Sequence, residues 1–161
     1  MFPIEKFLAM IDRHEGNRLD VYKDSEGFWT VGRGVNLEQP AAKALCALCG
    51  VNYYAVLALK GSRKPAITET QSRSLFDHIL ATRLPAVRCL IPGFDSFTEE
   101  RQLALMDVAW VGVGTLREFV GMRRAIGKGD WQKAAQELLD SKLAKQWGKR
   151  AVENSRLLSA Y

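Results

Sequence analysis

Soft metal ligands are scarce in this 161-residue sequence, which holds two histidines and three cysteines. An odd number of cysteines (Cys46, Cys49 and Cys89) excludes a complete disulfide framework. Cys46 and Cys49 form a C-x-x-C within an expected helix over 40–48, but there is no second cysteine pair and the only histidines are His14 and His78. A zinc or redox centre would lack its remaining ligands, so buried thiols are expected, with no metal and no cofactor. No apolar run approaches the roughly 18–20 residues of a membrane span, which argues against stable membrane insertion. The stretch Met1-Phe2-Pro3-Ile4-Glu5-Lys6 has neither a basic n-region nor a long apolar h-region, so no secretory signal is expected and synthesis in a reducing cytoplasm is. Internal repeats and low-complexity tracts are also missing.

What is present is ordinary for a globular domain, with 47% apolar residues and a length that fits one folding unit in two lobes. The net charge of +5 and pI near 9.2 would draw the protein to anionic surfaces and polymers. No zinc finger, aromatic ribonucleoprotein motif or helix-turn-helix pattern accompanies that charge, so a nucleic-acid partner is not expected and much of the charge reads as a solvated face. The segment from Lys142 to Arg150 is basic with one aromatic, but Gly148 interrupts it as a membrane-surface helix.

Hydrophobic spacing predicts a helix over 2–14, with Ile4, Phe7, Leu8 and Ile11 on one face. Thr68-Glu69-Thr70-Gln71 is a capping-box pattern that opens another, whose stripe runs through Leu75, Phe76, Ile79, Leu80, Leu84 and Val87. Pro85 is expected to kink or break it, because proline lacks an N–H and crowds the preceding turn. Further helices are expected near 98–111, 115–126, 130–140 and 142–159, with Leu103, Met106, Val108 and Ala109 in a core.

The most informative stretch runs from Glu15 to Gly34. Gly16 is a natural residue to follow a helix, which puts Glu15 at the helix C-terminus. Leu19 to Lys23 and Phe28 to Gly32 are β-prone, and Asp24-Ser25-Glu26-Gly27 between them reads as a hairpin turn. A carboxylate at a helix C-terminus faces the negative end of the macrodipole, which favours the protonated form that a general acid needs. A second carboxylate in an open polar turn is suited to act as a base. Two carboxyl groups in unlike surroundings are the kit of glycoside hydrolysis, although Asp in a turn is commonplace by itself.

The run E-G-x-R-L-x-x-Y-K-D-x-E-G-x-x-T-x-G-x-G resembles the catalytic segment of the T-even phage lysozymes, the muramidases with which tailed phages cut bacterial peptidoglycan. Asp130-Trp131-Gln132-Lys133-Ala134-Ala135 resembles that family's W-x-x-A-A helix, Lys149-Arg150-Ala151 its N-R-A segment, and Ile67-Thr68 through Leu75-Phe76 the start of its inter-lobe helix. The resemblance implies that Glu15 donates the proton to the glycosidic oxygen and Asp24 orients a water on the opposite sugar face. It further implies that Thr30 stands beside that water and that Arg150 pairs with the catalytic glutamate. Asn36, Trp110, Met122 and Glu137 match substrate-contacting positions. The family's histidine after G-x-G is Val35 here, its amide after the aromatic is Val111, and Arg33 replaces an apolar residue and is expected to be solvated.

The fold so implied is α+β and lysozyme-like, with a small β-containing N-terminal lobe, a larger all-helical C-terminal lobe and an active-site cleft between them. One domain over 1–161 is expected, with an N-terminal lobe near 12–66, a linking helix near 68–90 and a C-terminal lobe near 91–161 that includes helix 2–14. The expected reaction is inverting hydrolysis of the β-1,4 bond between N-acetylmuramic acid and N-acetylglucosamine. The expected partner is bacterial peptidoglycan, reached in the periplasm or cell wall by holin-dependent release or by virion association, and the expected state is a monomer. The alternative is a non-catalytic peptidoglycan-binding module on the same fold.

Overall fold

Helix α1 (Ile4–Glu15) ends where Gly16 takes φ +72°, and the Gly16 amide closes the last turn on the carbonyl of Asp12 at 3.1 Å. The computed structural model describes all 161 residues, of which Phe7, Met10 and Ile11 bury the inner face of this helix while Ile4 stays exposed. Strands β1 (Arg18–Lys23), β2 (Trp29–Gly32) and β3 (Val35–Asn36) follow as one antiparallel sheet in that order. The turn over 24–27 links β1 to β2, with Gly27 at φ +86°. Helices α2 (Ala42–Leu48) and α3 (Tyr53–Ala58) come next, then α4 (Glu69–Leu90). The remaining helices are α5 (Glu99–Trp110), α6 (Val113–Glu118), α7 (Val120–Gly127), α8 (Trp131–Leu139), α9 (Lys142–Trp147) and α10 (Lys149–Ser159). A small sheet followed by helices is the α+β class.

The chain divides into two compact units, one of Leu8–Ala81 and one of Met1–Phe7 with Thr82–Tyr161. In the first, Val21, Val31, Val35, Leu37, Val56 and Leu75 form the core, with Cys46 and Cys49 buried among them. The capping box of α4 forms in both directions: the Gln71 amide donates to Thr68 Oγ1 at 3.1 Å, and the Thr68 amide donates to Gln71 Oε1 at 2.9 Å.

Arg33 departs from the solvated role expected of it and is only 6% exposed. Its Nε donates to Asp12 Oδ1 at 2.5 Å, Nη2 to Asp12 Oδ2 at 3.4 Å and Nη1 to Ser72 Oγ at 2.9 Å. Ser72 in turn donates to Asn17 Oδ1 at 2.7 Å, and the Asn17 amide bonds both oxygens of Glu69 at 2.9 Å. A guanidinium flanked by two glycines in the turn after β2 can fold back under the sheet, where α1 and α4 supply its acceptors.

In the second unit α5 is the central helix, with Ala104, Leu105, Met106, Val108 and Ala109 fully buried. A helix apolar on nearly every side must be covered on every side. Phe94 lies in the turn before it, stacked on Phe2 with ring centroids 6.2 Å apart. Asp130 caps α8 by accepting the Lys133 amide at 3.0 Å.

Three expected helices need correction, the first being 115–126, which is two helices, α6 and α7, divided at Phe119. Helix α4 runs through Pro85 without ending, because buried Leu75, Phe76 and Leu80 before the proline and Val87 after it fix the turns on either side. The expected helix over 142–159 is two helices, since Gly148 adopts φ +55° between α9 and α10. Phe94→Ala should cost about 3–5 kcal/mol, the usual loss for emptying a buried aromatic site. Urea unfolding checks this, and a loss below about 1 kcal/mol would show that the site collapses or was never tightly packed.

Candidate active site

Glu15, Asp24, Thr30 and Asn36 all lie in the Leu8–Ala81 unit. The Glu15 side chain lies over Gly34: a Cβ added to Gly34 would stand 3.0 Å from Glu15 Oε2 and 3.3 Å from its Cδ. Gly34 also sits at φ +77°, a conformation glycine adopts without strain. Bare backbone is therefore brought up against the carboxylate, and any other residue at 34 would push it away.

Asp24 opens the hairpin turn, where its amide donates to the Phe28 carbonyl at 2.9 Å and its own carbonyl accepts the Gly27 amide at 3.0 Å. Its Oδ1 accepts the backbone amides of Glu26 and Phe28, each at 2.9 Å. Two amides on one oxygen fix the plane of the carboxylate and aim Oδ2 at Thr30, whose Oγ1 is 3.5 Å away. The Thr30 hydroxyl has a nearer acceptor in the Phe28 carbonyl at 3.0 Å, and Thr30 itself is buried.

Across the sheet Thr30 stands opposite Tyr22 on β1 and opposite Asn36 on β3. Directly opposed residues of antiparallel strands share a face, so Tyr22, Thr30 and Asn36 form one polar row. Asn36 Oδ1 accepts the Glu38 amide at 2.8 Å, which fixes the side-chain amide through its oxygen. Tyr22 joins the two carboxylates electrostatically. Its phenol is held above the ordinary value first by burial and next by the charge of Glu15, with Arg18 opposing and Asp24 and Asp20 adding to the rise. The Arg18 guanidinium lies 4.2 Å from the Tyr22 ring centroid and grips Asp20 through two bonds of 3.1 and 2.6 Å. That hydrogen-bonded cation holds the Asp20 carboxyl below the usual carboxylate range.

The other expected residues lie in the second unit. Arg150 donates to Asp107 through Nε at 2.9 Å and Nη2 at 2.7 Å, and it covers the Trp147 ring at 4.1 Å. Asp107 is fully buried and accepts a further bond from Asn154 Nδ2 at 2.6 Å. Trp110, matched to a substrate-contacting position, is instead a core residue at 4% exposure, edge-on to Phe7 at 5.5 Å and under the Arg83 guanidinium. Met122 is fully buried as well, so its side chain is packed among neighbours rather than presented to a substrate. Glu137 remains accessible. It pairs with Lys133 at 2.9 Å, rests against Gly121, and lines a hollow of about 210 Å³ with Arg124, Lys128 and Asp130.

Three participants escaped sequence reasoning. Gly34 was legible only as part of G-x-G, and Tyr22 only as a strand residue. Asp107 did carry a signal, because a lone acid inside the apolar run Leu103–Trp110 needs a buried cation. No three His, Cys, Asp or Glu side chains converge in a way that would hold a metal ion.

The model of the phage lysozyme family matches residues 12–156. The pre-baseplate central spike protein Gp5 of Enterobacteria phage T4 is 30% identical over 143 residues, 86% of this chain but only 25% of that protein's length. The probable T4-type lysozyme 2 of Dictyostelium discoideum is 26% identical over 158 residues, covering 94% of this chain and 91% of its own. The probable T4-type lysozyme 1 of the same organism is 24% identical over 139 residues, 82% of this chain and 81% of its own.

The site geometry makes two checkable statements. Gly34→Ala should lose more stability than Gly27→Ala in denaturant unfolding, since both have positive φ but only Gly34 meets a neighbour. The strained φ alone should cost about 1–2 kcal/mol at either position. The NMR titration midpoint of the Tyr22 phenol should fall in Glu15→Gln, because removing a nearby negative charge eases ionisation; an unchanged midpoint would place Glu15 out of reach of Tyr22.

Proposed function

This chain belongs to the phage lysozyme family, and from that premise we propose that Glu15 and Asp24 hydrolyse the β-1,4 bond between N-acetylmuramic acid and N-acetylglucosamine in bacterial peptidoglycan. Family membership makes the chain a glycoside hydrolase of lysozyme type. The observation that carries the finer reading is the unlike setting of two carboxylates on one small sheet-and-helix unit.

Glu15, resting on the bare backbone of Gly34, is the proton donor to the leaving glycosidic oxygen. Asp24 has one oxygen committed to two backbone amides, which leaves the other oriented towards a water beside Thr30. As the bond to the leaving sugar breaks, Asp24 draws a proton from that water and the water attacks the anomeric carbon from the opposite face. The product then has inverted configuration at the anomeric carbon. Tyr22, kept un-ionised, adds no charge between the two acids. Asn36 offers its NH₂ to a sugar oxygen from the same row. Arg150 is the partner of Glu15 in this reading, and Asp107 and Asn154 set the angle of its guanidinium. Glu137 is the accessible substrate contact in the helical unit, whereas buried Trp110 and Met122 shape that unit from within.

Phage-driven lysis or wall penetration is the proposed setting. Similarity to a baseplate spike protein supports virion association, and holin-dependent release of a monomer is the other proposed route. No helix is long and apolar enough to cross a membrane.

The test is clearing of outer-membrane-permeabilised Gram-negative cells, followed by mass analysis of the released muropeptides. Wild type should clear and leave reducing muramic ends; Glu15→Gln should not clear, and Asp24→Asn should lose on the order of 10²–10⁴ in rate. Wild-type rates in either variant would remove that residue from the reaction. Retained peptidoglycan pull-down without any clearing would make the chain a binding module.

A further inference from the structure

The Glu15 carboxylate lies against Gly34, which directly follows Arg33 in the turn after β2. Resting on the hydrolase reading above, we propose that Arg33 is the positioning residue for the proposed acid, clamping the last turn of α1 to the Gly32-Arg33-Gly34 turn so that the Glu15 carboxylate stays at its working place.

Three observations support this independently of the family. First, Asp12 precedes Glu15 by three residues, nearly one helical turn, so a grip on Asp12 is a grip on the turn that carries Glu15. Arg33 makes that grip with two bonds, 2.5 and 3.4 Å, and Asp12 also closes α1 by accepting the Gly16 amide. Second, the third arm of Arg33 reaches Ser72 on α4 at 2.9 Å, and Ser72 continues to Asn17, two residues beyond Glu15. The helix end is thus held on both sides of Glu15, before it at Asp12 and after it at Asn17. Third, the Arg33 side chain is 7% exposed against 39% for Asp12, so the guanidinium is enclosed by its partners while Asp12 keeps access to water.

The buried Arg33 does more than fill space. A buried cation bonded in three directions fixes direction as well as distance, which apolar packing does not. Stability is a poor reason for it, because an apolar residue of similar size often serves a buried site as well. Direction is what a proton donor requires, since a misplacement of about 1 Å can cost on the order of 100-fold in rate.

The test compares Arg33→Met and Arg33→Lys with wild type and Glu15→Gln on soluble peptidoglycan fragments, at least 15 °C below each variant's measured Tm. Arg33→Met fills the site without charge, and Asp12, partly exposed, can turn to water; Arg33→Met with Asp12→Asn removes both charges if the single variant folds poorly. The expected result is kcat per folded molecule reduced at least about tenfold, with KM changed less than twofold and Arg33→Lys in between. The Glu15 carboxyl resonance in the folded protein should shift or broaden in Arg33→Met. Full kcat per folded molecule in Arg33→Met would overturn the clamp while the hydrolase reading stands on Glu15→Gln. A wild-type rate in Glu15→Gln would overturn both.

Discussion

A guanidinium nearly withdrawn from water has to be neutralised and hydrogen-bonded where it lies, and the Leu8–Ala81 unit is arranged so that Arg33 is. Asp12 from α1, Ser72 from α4, and Asn17 and Glu69 beyond them converge on the turn that follows β2. Three elements distant in sequence are thereby tied at one point, and both glycines beside Arg33 are required for the backbone to bring it there. Gly32 and Gly34 each adopt positive φ, and each lies against a neighbour, Ser72 in one case and Glu15 in the other. The Glu15 carboxylate lies directly against that turn.

The second unit repeats the logic with different parts. Asp107 is a fully buried carboxylate within the largely buried helix α5, and Arg150 and Asn154 from α10 satisfy it. Replacing such a pair with packed hydrocarbon is often neutral or favourable for stability, whereas removing one partner strands a buried charge. Each unit therefore holds an ion pair with one member withdrawn from water, Arg33 in the first and Asp107 in the second.

In the Leu8–Ala81 unit the sheet is small but presents an ordered polar row. Register alone aligns Tyr22, Thr30 and Asn36, and the turn at its end locks Asp24 through two amides. The electrostatics are local. Tyr22 feels Glu15 and Asp24, while Arg18 is occupied by Asp20, so the charges that surround the site are largely paired among themselves.

Local signals made much of this legible from sequence. Apolar spacing marked α1, Gly16 its end, Gly27 the hairpin turn and the Thr68–Gln71 pattern the start of α4, because each depends on residues within one turn of one another. Glu15 and Asp24 stood out for the same reason, as residues of one short motif. What tertiary structure alone decided were the side chains whose partners lie far away in the chain. Arg33 read as solvated because nothing nearby in sequence neutralises it; Asp12 and Ser72 do so only once the chain folds back. Trp110 and Met122 matched substrate positions by alignment, yet α5 and α7 turn them into the core, since helix rotation is set by the packing of the whole unit. Pro85 should interrupt a helix in isolation, and the apolar contacts on both sides of it outweigh the one hydrogen bond that proline removes.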